Sequence, residues 1–300
     1  MASPIFMENS GRMLGSRHVA CTCNTQGEIV SNPSDYLLGN TDREHERLIR
    51  QAARLLPITE SFFREVGITC GQRILDVGSG VGDVAILLAR LVGAGGKVVG
   101  IDRDPKSIRR ATARVIEANL KNVEFVESDI AQCDIEGPFD AIVGRYVLQF
   151  LPEPAATLRH LMRHLRTGGT VAFLEGSWEP FVLLSRHLPL WSTGVRLLQE
   201  VSTHFGVNLE MGLDLHRVFL DAGLPAPKMR LEMELGHDPD FTRWVSDTVA
   251  SLQTQFRKFQ ISLDPLGDLD TLQERLHAEV AASRTVAPWI ALVGAYSRRQ

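Results

Sequence analysis

Between Arg73 and Asp83 the chain reads Arg-Ile-Leu-Asp-Val-Gly-Ser-Gly-Val-Gly-Asp, and no other run restricts the fold as much. A short apolar run of strand formers ends at Val77. Three glycines at alternate positions follow, and then Val84 to Leu91 has helical spacing with good helix formers. Glycines in such a turn allow dihedrals that a Cβ forbids and let the backbone approach a ligand closely. A buried strand, a glycine turn and a helix start therefore predict a site for a nucleotide-type cofactor.

The rest of the chain supports a sheet around that turn. Strands are predicted at Lys97 to Asp102, Val123 to Ser128, Phe139 to Tyr146 and Thr170 to Glu175. Helices are predicted at Pro105 to Asn119 and at Pro154 to Arg166, the latter closed by Gly168-Gly169. Strand–helix alternation with short loops means a parallel sheet covered on both faces. Upstream, a helix starts at Thr41 or Asp42 and ends at Pro57, and a second short helix spans Glu60 to Val66. After Trp178 the alternation stops. Phe181 to Phe205, Asp214 to Ala222, Asp240 to Ile261 and Leu266 to Ser283 read as helical, with strands at Met229 to Leu235 and Trp289 to Ser297. The organisation is thus a disordered tail (1–33), an N-terminal helical cap (34–70), a cofactor-binding core (71–178), and a helical acceptor-pocket insertion with C-terminal strands (179–300). With 300 residues, 44% of them hydrophobic, the chain can bury a sizeable core.

Two cofactor classes use such a turn. A dinucleotide takes G-x-G-x-x-G, with its pyrophosphate on the helix N-terminus. Here Asp83 stands where the third glycine belongs, and a carboxylate there repels a pyrophosphate. S-adenosylmethionine has no phosphate and is partly cationic, so Asp76 and Asp83 suit it. Leu75 to Gly82 resembles the first motif of class I S-adenosylmethionine-dependent methyltransferases, similar to the small-molecule enzymes of secondary metabolism. Val98 to Asp102, Ser128-Asp129-Ile130, Phe139 to Val143 and Leu165 to Thr170 resemble the later motifs in the same order.

The resemblance implies an α/β, Rossmann-like fold. Its seven-stranded, mostly parallel sheet has helices on both faces, N-terminal helices and a helical insertion after the fifth strand. It implies S-adenosylmethionine as cofactor. Asp76, Gly78, Ser79 and Gly80 would form the turn. Asp102 would accept from both ribose hydroxyls, each bond charge-assisted and worth ~1.5–3 kcal/mol. Asp129 and Ile130 would read the adenine, with Arg103 over the ring. Arg145 would neighbour the methionine part, and Tyr36 and Gln51 would line its amino acid end. Each has a plainer alternative: a solvated carboxylate at Asp102, a turn cap at Asp129, surface arginines at 103 and 145, a packed Tyr36 and an exposed Gln51.

Methyl transfer is an in-line displacement in which the protein aligns donor and acceptor and excludes water. A general base is needed for some acceptors. His187, His204, His216, His237 and Glu175 are candidates, none with a motif, so no catalytic residue is assigned. His160 and His164 have metal-ligand spacing without an evident third ligand, and Cys21 and Cys23 are too few, so no metal is expected. Trp178, Phe181, Leu188, Trp191 and neighbouring leucines suit an apolar or aromatic small-molecule acceptor, or a contact in a homo-oligomer. A net charge of −4 argues against nucleic acid. No apolar run is long enough to span a bilayer and no secretory signal is evident, which points to the cytoplasm. A protein acceptor, a nucleotide-dependent oxidoreductase and a non-catalytic cofactor binder are the competing readings.

Overall fold

The computed structural model describes residues 41–300, so the expectations for the tail, Tyr36, Cys21 and Cys23 lie outside the described residues. Helix α1 (Asp42–Val66) is capped by Thr41, whose hydroxyl accepts from the Glu44 N–H, and it ends at Gly67. It does not break at Pro57, contrary to the sequence expectation. Proline removes one N–H and frees the carbonyl four residues earlier. Here both Pro57 and Ala53 lie on the exposed face, where water can satisfy that carbonyl. On the other face Leu55, Ile58, Phe62 and Phe63 are buried on both sides of the proline and hold the helix on course.

The core then alternates: β1 (Arg73–Val77), α2 (Asp83–Val92), β2 (Lys97–Asp102), α3 (Pro105–Glu117), β3 (Val123–Glu127), β4 (Phe139–Arg145), α4 (Pro154–Leu161) and β5 (Leu165–Ser177). Helices α5 (Glu179–Leu184), α6 (Pro189–His204) and α7 (Met211–Asp221) follow. After β6 (Lys228–Glu232) and the short β7 (Leu235–Gly236) come α8 (Pro239–Ser251), α9 (Gln253–Lys258) and α10 (Leu272–Ser283). The short β8 (Ala287–Pro288) and then β9 (Ala291–Arg298) close the chain.

Seven strands form one sheet in the order β3-β2-β1-β4-β5-β9-β6. Pairings from β3 through β5 are parallel, and β9 runs antiparallel between β5 and β6. The order reverses between β1 and β4. In open α/β sheets ligands bind at such a switch point, beyond the strand C-termini. One face of the sheet packs on α1 and α2 through Phe62, Phe63, Leu88 and Val92, the other on α4 and α7 through Leu158, Leu161, Leu215 and Phe219.

The helix predicted to run to Arg166 stops at Leu161 and passes through a 3-10 turn, Met162–His164, into β5. Leu165 pairs with Phe139 and is buried, so tertiary packing overrides the helical period. Gly168-Gly169 closes no helix. It is tied to the chain end, with the Gly168 N–H donating to the Arg299 carbonyl and the Arg299 N–H to that of Gly169.

The helical material beyond the sheet comes in two pieces, α5–α6 after β5 and α8–α10 between β7 and β8. They join in a third apolar cluster around Trp178, Phe181, Trp191, Trp244 and Trp289. Trp244 and Trp289 lie with ring centroids 4.8 Å apart, and Trp191 meets Trp244 edge-on at 6.2 Å.

Candidate cofactor and acceptor site

The glycine turn lies at the reversal point of the sheet. Gly78 has φ +65°, and a Cβ there would meet the Val147 Cγ2 at 2.5 Å, so only glycine fits. Gly80 has φ +50°, and its missing Cβ would point into open space. The Ser79 hydroxyl is buried without a hydrogen-bond partner. Asp102, at the end of β2, accepts from the Gly80 N–H at 2.8 Å through Oδ2 and from the Asp104 N–H at 2.9 Å through Oδ1. Each oxygen keeps acceptor capacity for a further donor.

Two chambers open at the turn. One lies between β2 and the loop after β3, lined by Gly78, Asp102, Arg103, Asp129, Ile130 and Val147 among others, and it encloses about 560 Å³ with its open mouth included. The larger, about 1180 Å³ on the same measure, runs from Gly78, Ser79 and Gly80 past Arg47, Gln51 and Arg145. It ends among Trp178, Leu198, Trp244, Leu252, Trp289 and Ile290. Gly78, Tyr146 and Phe150 belong to the walls of both.

Of the residues singled out from the sequence, Gln51, Gly78, Ser79, Gly80 and Arg145 lie on the larger chamber, and Asp102, Arg103, Asp129 and Ile130 on the smaller. Asp76 lines neither and is buried under the turn with Oδ2 unpartnered. Asp129 closes a turn by accepting from the Ala131 N–H at 2.9 Å, the capping role its sequence context also allowed. Gln51 accepts from Arg47 at 2.8 Å, and Arg47 is itself held by two bonds to Glu44. Arg145 donates to the Thr59 hydroxyl at 2.9 Å.

Sequence reasoning missed Arg47, Tyr146, Gln149, Trp244 and Trp289 as wall residues. Arg47 looks like an ordinary surface residue of an amphipathic helix. The two tryptophans sit on segments far from the motifs. The candidate bases fare differently. His187, His204, His216 and His237 are all exposed, and none is on either chamber: His204 and His216 face outward on α6 and α7, and His187 and His237 lie in the connections before α6 and α8. Glu175 is fully buried beneath the loop after β4 and accepts from the Val147 and Leu148 N–H groups at 2.9 and 2.8 Å through one oxygen.

Charge is concentrated at the turn. Burial raises the Asp76 carboxyl well above the ordinary range, opposed by Arg145 and reinforced by Asp102 and Asp83. Burial also raises Asp83, opposed by Arg114, which is 2.7 Å away, and by Arg145. Asp102 is raised by burial and pulled back by the N–H groups of Asp104 and Gly80. Arg145 is lowered by burial, with Asp83 as its main opposing charge. Three partly desolvated carboxylates suit a ligand bearing positive charge and oppose a pyrophosphate.

His160 and His164 gain a neighbour that the sequence did not show, since Cys133 brings a third ligand-type atom within 4.8 Å. The His160 Nε2 is engaged with the Cys133 carbonyl at 2.7 Å, and the Arg163 guanidinium meets its Nδ1. With both ring nitrogens engaged and a cation alongside, the cluster is a poor metal site.

Sheet order, antiparallel strand and glycine turn at the switch point define the fold of the class I methyltransferases. Residues 68–207 match the family model described as a methyltransferase domain. The chain is 33% identical over 133 residues to a demethylmenaquinone methyltransferase of Lactococcus lactis, which covers 44% of this chain and 53% of that protein. It is 30% identical over 128 residues to a ubiquinone/menaquinone biosynthesis C-methyltransferase of Pseudomonas putida, covering 42% and 50%. The chain thus spans about half the length of the curated relatives it matches. Geranyl diphosphate methyltransferase, solved with S-adenosylmethionine, superposes with a TM-score of 0.50 at 17% identity, over 88% of this chain and 94% of that one. Residues 68–207 thus carry a methyltransferase domain of the class I, S-adenosylmethionine-dependent type. The bared backbone at Gly78 and Gly80, the unpartnered Ser79 hydroxyl and the carboxylates under the turn fit that cofactor.

Proposed function

We propose that this chain transfers a methyl group from S-adenosylmethionine to an apolar or aromatic small molecule. The observation that carries the reading is the larger chamber, which joins the glycine turn to a tryptophan-lined end. When bound, the cofactor would supply an electrophilic methyl on a sulfonium, which passes in line to an electron pair of the acceptor while the bonding pair leaves with the thioether sulfur of S-adenosylhomocysteine. The chain's residues divide the remaining work. Asp102 holds the ribose hydroxyls, and Asp129, Ile130 and Arg103 bound the adenine. Gly78, Ser79 and Gly80 give backbone contact. Asp76, beneath the turn, supports it from below. Gln51 and Arg145, together with Tyr36, serve the amino acid end. Trp178, Trp244, Trp289 and Leu252 exclude water and present an apolar surface to the acceptor.

Among the described residues no helix is long and apolar enough to cross a membrane. A cytoplasmic enzyme acting on a diffusible molecule, with no nucleic acid partner, suits this reading. A homo-oligomer is compatible with it.

Calorimetric titration with S-adenosylmethionine, S-adenosylhomocysteine and NAD tests the cofactor. Binding of the first two and not of NAD is the expected result, and the reverse overturns the proposal. Incubation with aromatic and terpenoid-like compounds, read by mass spectrometry, tests the acceptor. Methylation confined to protein substrates would move the chain to the competing class.

A further inference from the structure

Tyr146 is the first residue past β4 and carries φ +57°. A large side chain in the left-handed region is an outlier, retained only where its surroundings fix it. They do so here. The Tyr146 N–H donates to the Leu174 carbonyl at 2.9 Å, and the next two N–H groups donate to the buried Glu175 carboxylate. The carboxylate thus staples the loop, and the loop holds the tyrosine ring in the wall common to both chambers.

The Tyr146 hydroxyl is out of solvent, and apart from the Trp289 indole N–H, which can only donate to it, it has no hydrogen-bond partner. A buried hydroxyl proton without an acceptor needs an explanation, and a ligand atom supplies one. Burial pushes this hydroxyl up, with the Glu175 and Glu234 carboxylates adding to the effect and Arg145 and the Trp289 indole opposing it, so it stays a donor at neutral pH. Other hydroxyls at the apolar end are already spent on their own helices. Ser202 donates to the Leu198 carbonyl and Thr248 to that of Trp244, each at 2.7 Å. Among the described residues the acidic one on the larger chamber's wall is Asp83, which stands at the glycine turn, paired with Arg114. The nitrogen lone pair of an aromatic amine is drawn into the ring and accepts a hydrogen bond more poorly than a phenol oxygen, so a donor at this place favours oxygen.

We propose that the Tyr146 hydroxyl donates a hydrogen bond to an oxygen on the acceptor, selecting oxygenated apolar rings over amines and bare hydrocarbons. Tyr146 is then an acceptor-binding residue and Glu175 its positioning residue. The proposal rests on the methyl-transfer reading above.

The test uses the full chain saturated with S-adenosylhomocysteine. Three probes, 2-naphthol, naphthalene and 2-naphthylamine, are titrated against tryptophan fluorescence. In the wild type, 2-naphthol should bind at least tenfold tighter than the other two, a difference of about 1.4 kcal/mol. In Tyr146→Phe the three affinities should converge. Intact S-adenosylhomocysteine binding with no naphthol preference in the wild type overturns the inference and leaves the cofactor reading standing. So does a preference that survives in Tyr146→Phe. Failure of the wild type to bind S-adenosylhomocysteine overturns the cofactor reading itself. The wild-type comparison decides the matter even where the variant folds poorly.

Discussion

Glu175 offers the most quantitative test. Its carboxyl is fully buried in the middle of the sheet, one oxygen accepts two backbone N–H groups, and the other has no partner. Burial raises it from 4.5 to about 7, with the N–H groups of Val147, Leu148 and Gln149 pulling the other way. The folded state therefore holds the proton more tightly than the unfolded chain. The stability this provides is complete below pH 4.5 and is lost as pH rises through about 7. The gap corresponds to about 3 kcal/mol, of which about 2.5 kcal/mol falls between pH 5 and pH 8.5. Glu175→Gln keeps an oxygen for the two N–H groups and cannot ionise. Whatever fixed cost the new amide brings, the stability of the variant relative to wild type should rise by that amount across this interval. Equilibrium urea unfolding at pH 5, 6, 7, 8 and 8.5 reads it directly. With an m of about 3 kcal/mol/M, the gap between midpoints should move by roughly 0.8 M in favour of the glutamine. Curves that stay parallel within about 0.5 kcal/mol would refute the claim that Glu175 is protonated in the fold at acid pH and ionised at a cost above it.

Three further outcomes are expected. Asp102→Asn should weaken S-adenosylmethionine binding roughly tenfold or more by calorimetry while leaving the unfolding midpoint little changed, since the amide can still accept from the Gly80 or the Asp104 N–H. An unchanged dissociation constant would show the ribose to lie elsewhere. Gly78→Ala should abolish measurable cofactor binding and cost about 1–3 kcal/mol of stability, because the new Cβ would lie 2.5 Å from Val147 in a left-handed conformation. A variant that binds normally would mean that the turn has more room than its geometry gives. Finally, the raised carboxyls of Asp76, Asp83 and Asp102 must be ionised to meet a cation, so S-adenosylmethionine should bind more tightly as pH rises through their range, releasing protons. S-adenosylhomocysteine, which lacks the sulfonium charge, should show the shallower dependence. Titrations in buffers of different ionisation enthalpy count the protons, and equal slopes for the two ligands would remove the electrostatic account.

Much of this domain was legible in the chain itself. Strand β2 falls on the predicted residues, and β1 ends at Val77 as the apolar run does. Glycine spacing and apolar runs are local signals, set by dihedral freedom and by burial on both faces of a parallel sheet. The identity of the turn as one that rejects a pyrophosphate was likewise local, because Asp83 stands within the motif. What the sequence could not decide depends on distant partners. Helix α1 passes through Pro57 because buried residues on either side grip the sheet. The chain becomes strand at Leu165 because Phe139 is waiting beside it. Trp244 and Trp289 reach the chamber from segments that follow β7 and β8, and Tyr146 takes a left-handed backbone because a carboxylate one strand away holds the loop. Residue types and short spacings thus determined the glycine turn, where the signal sits within a dozen neighbouring residues. Only the folded chain decided the acceptor end, since its wall is assembled from α6, α8 and the β4 and β8 termini, and no local pattern encodes a contact between them.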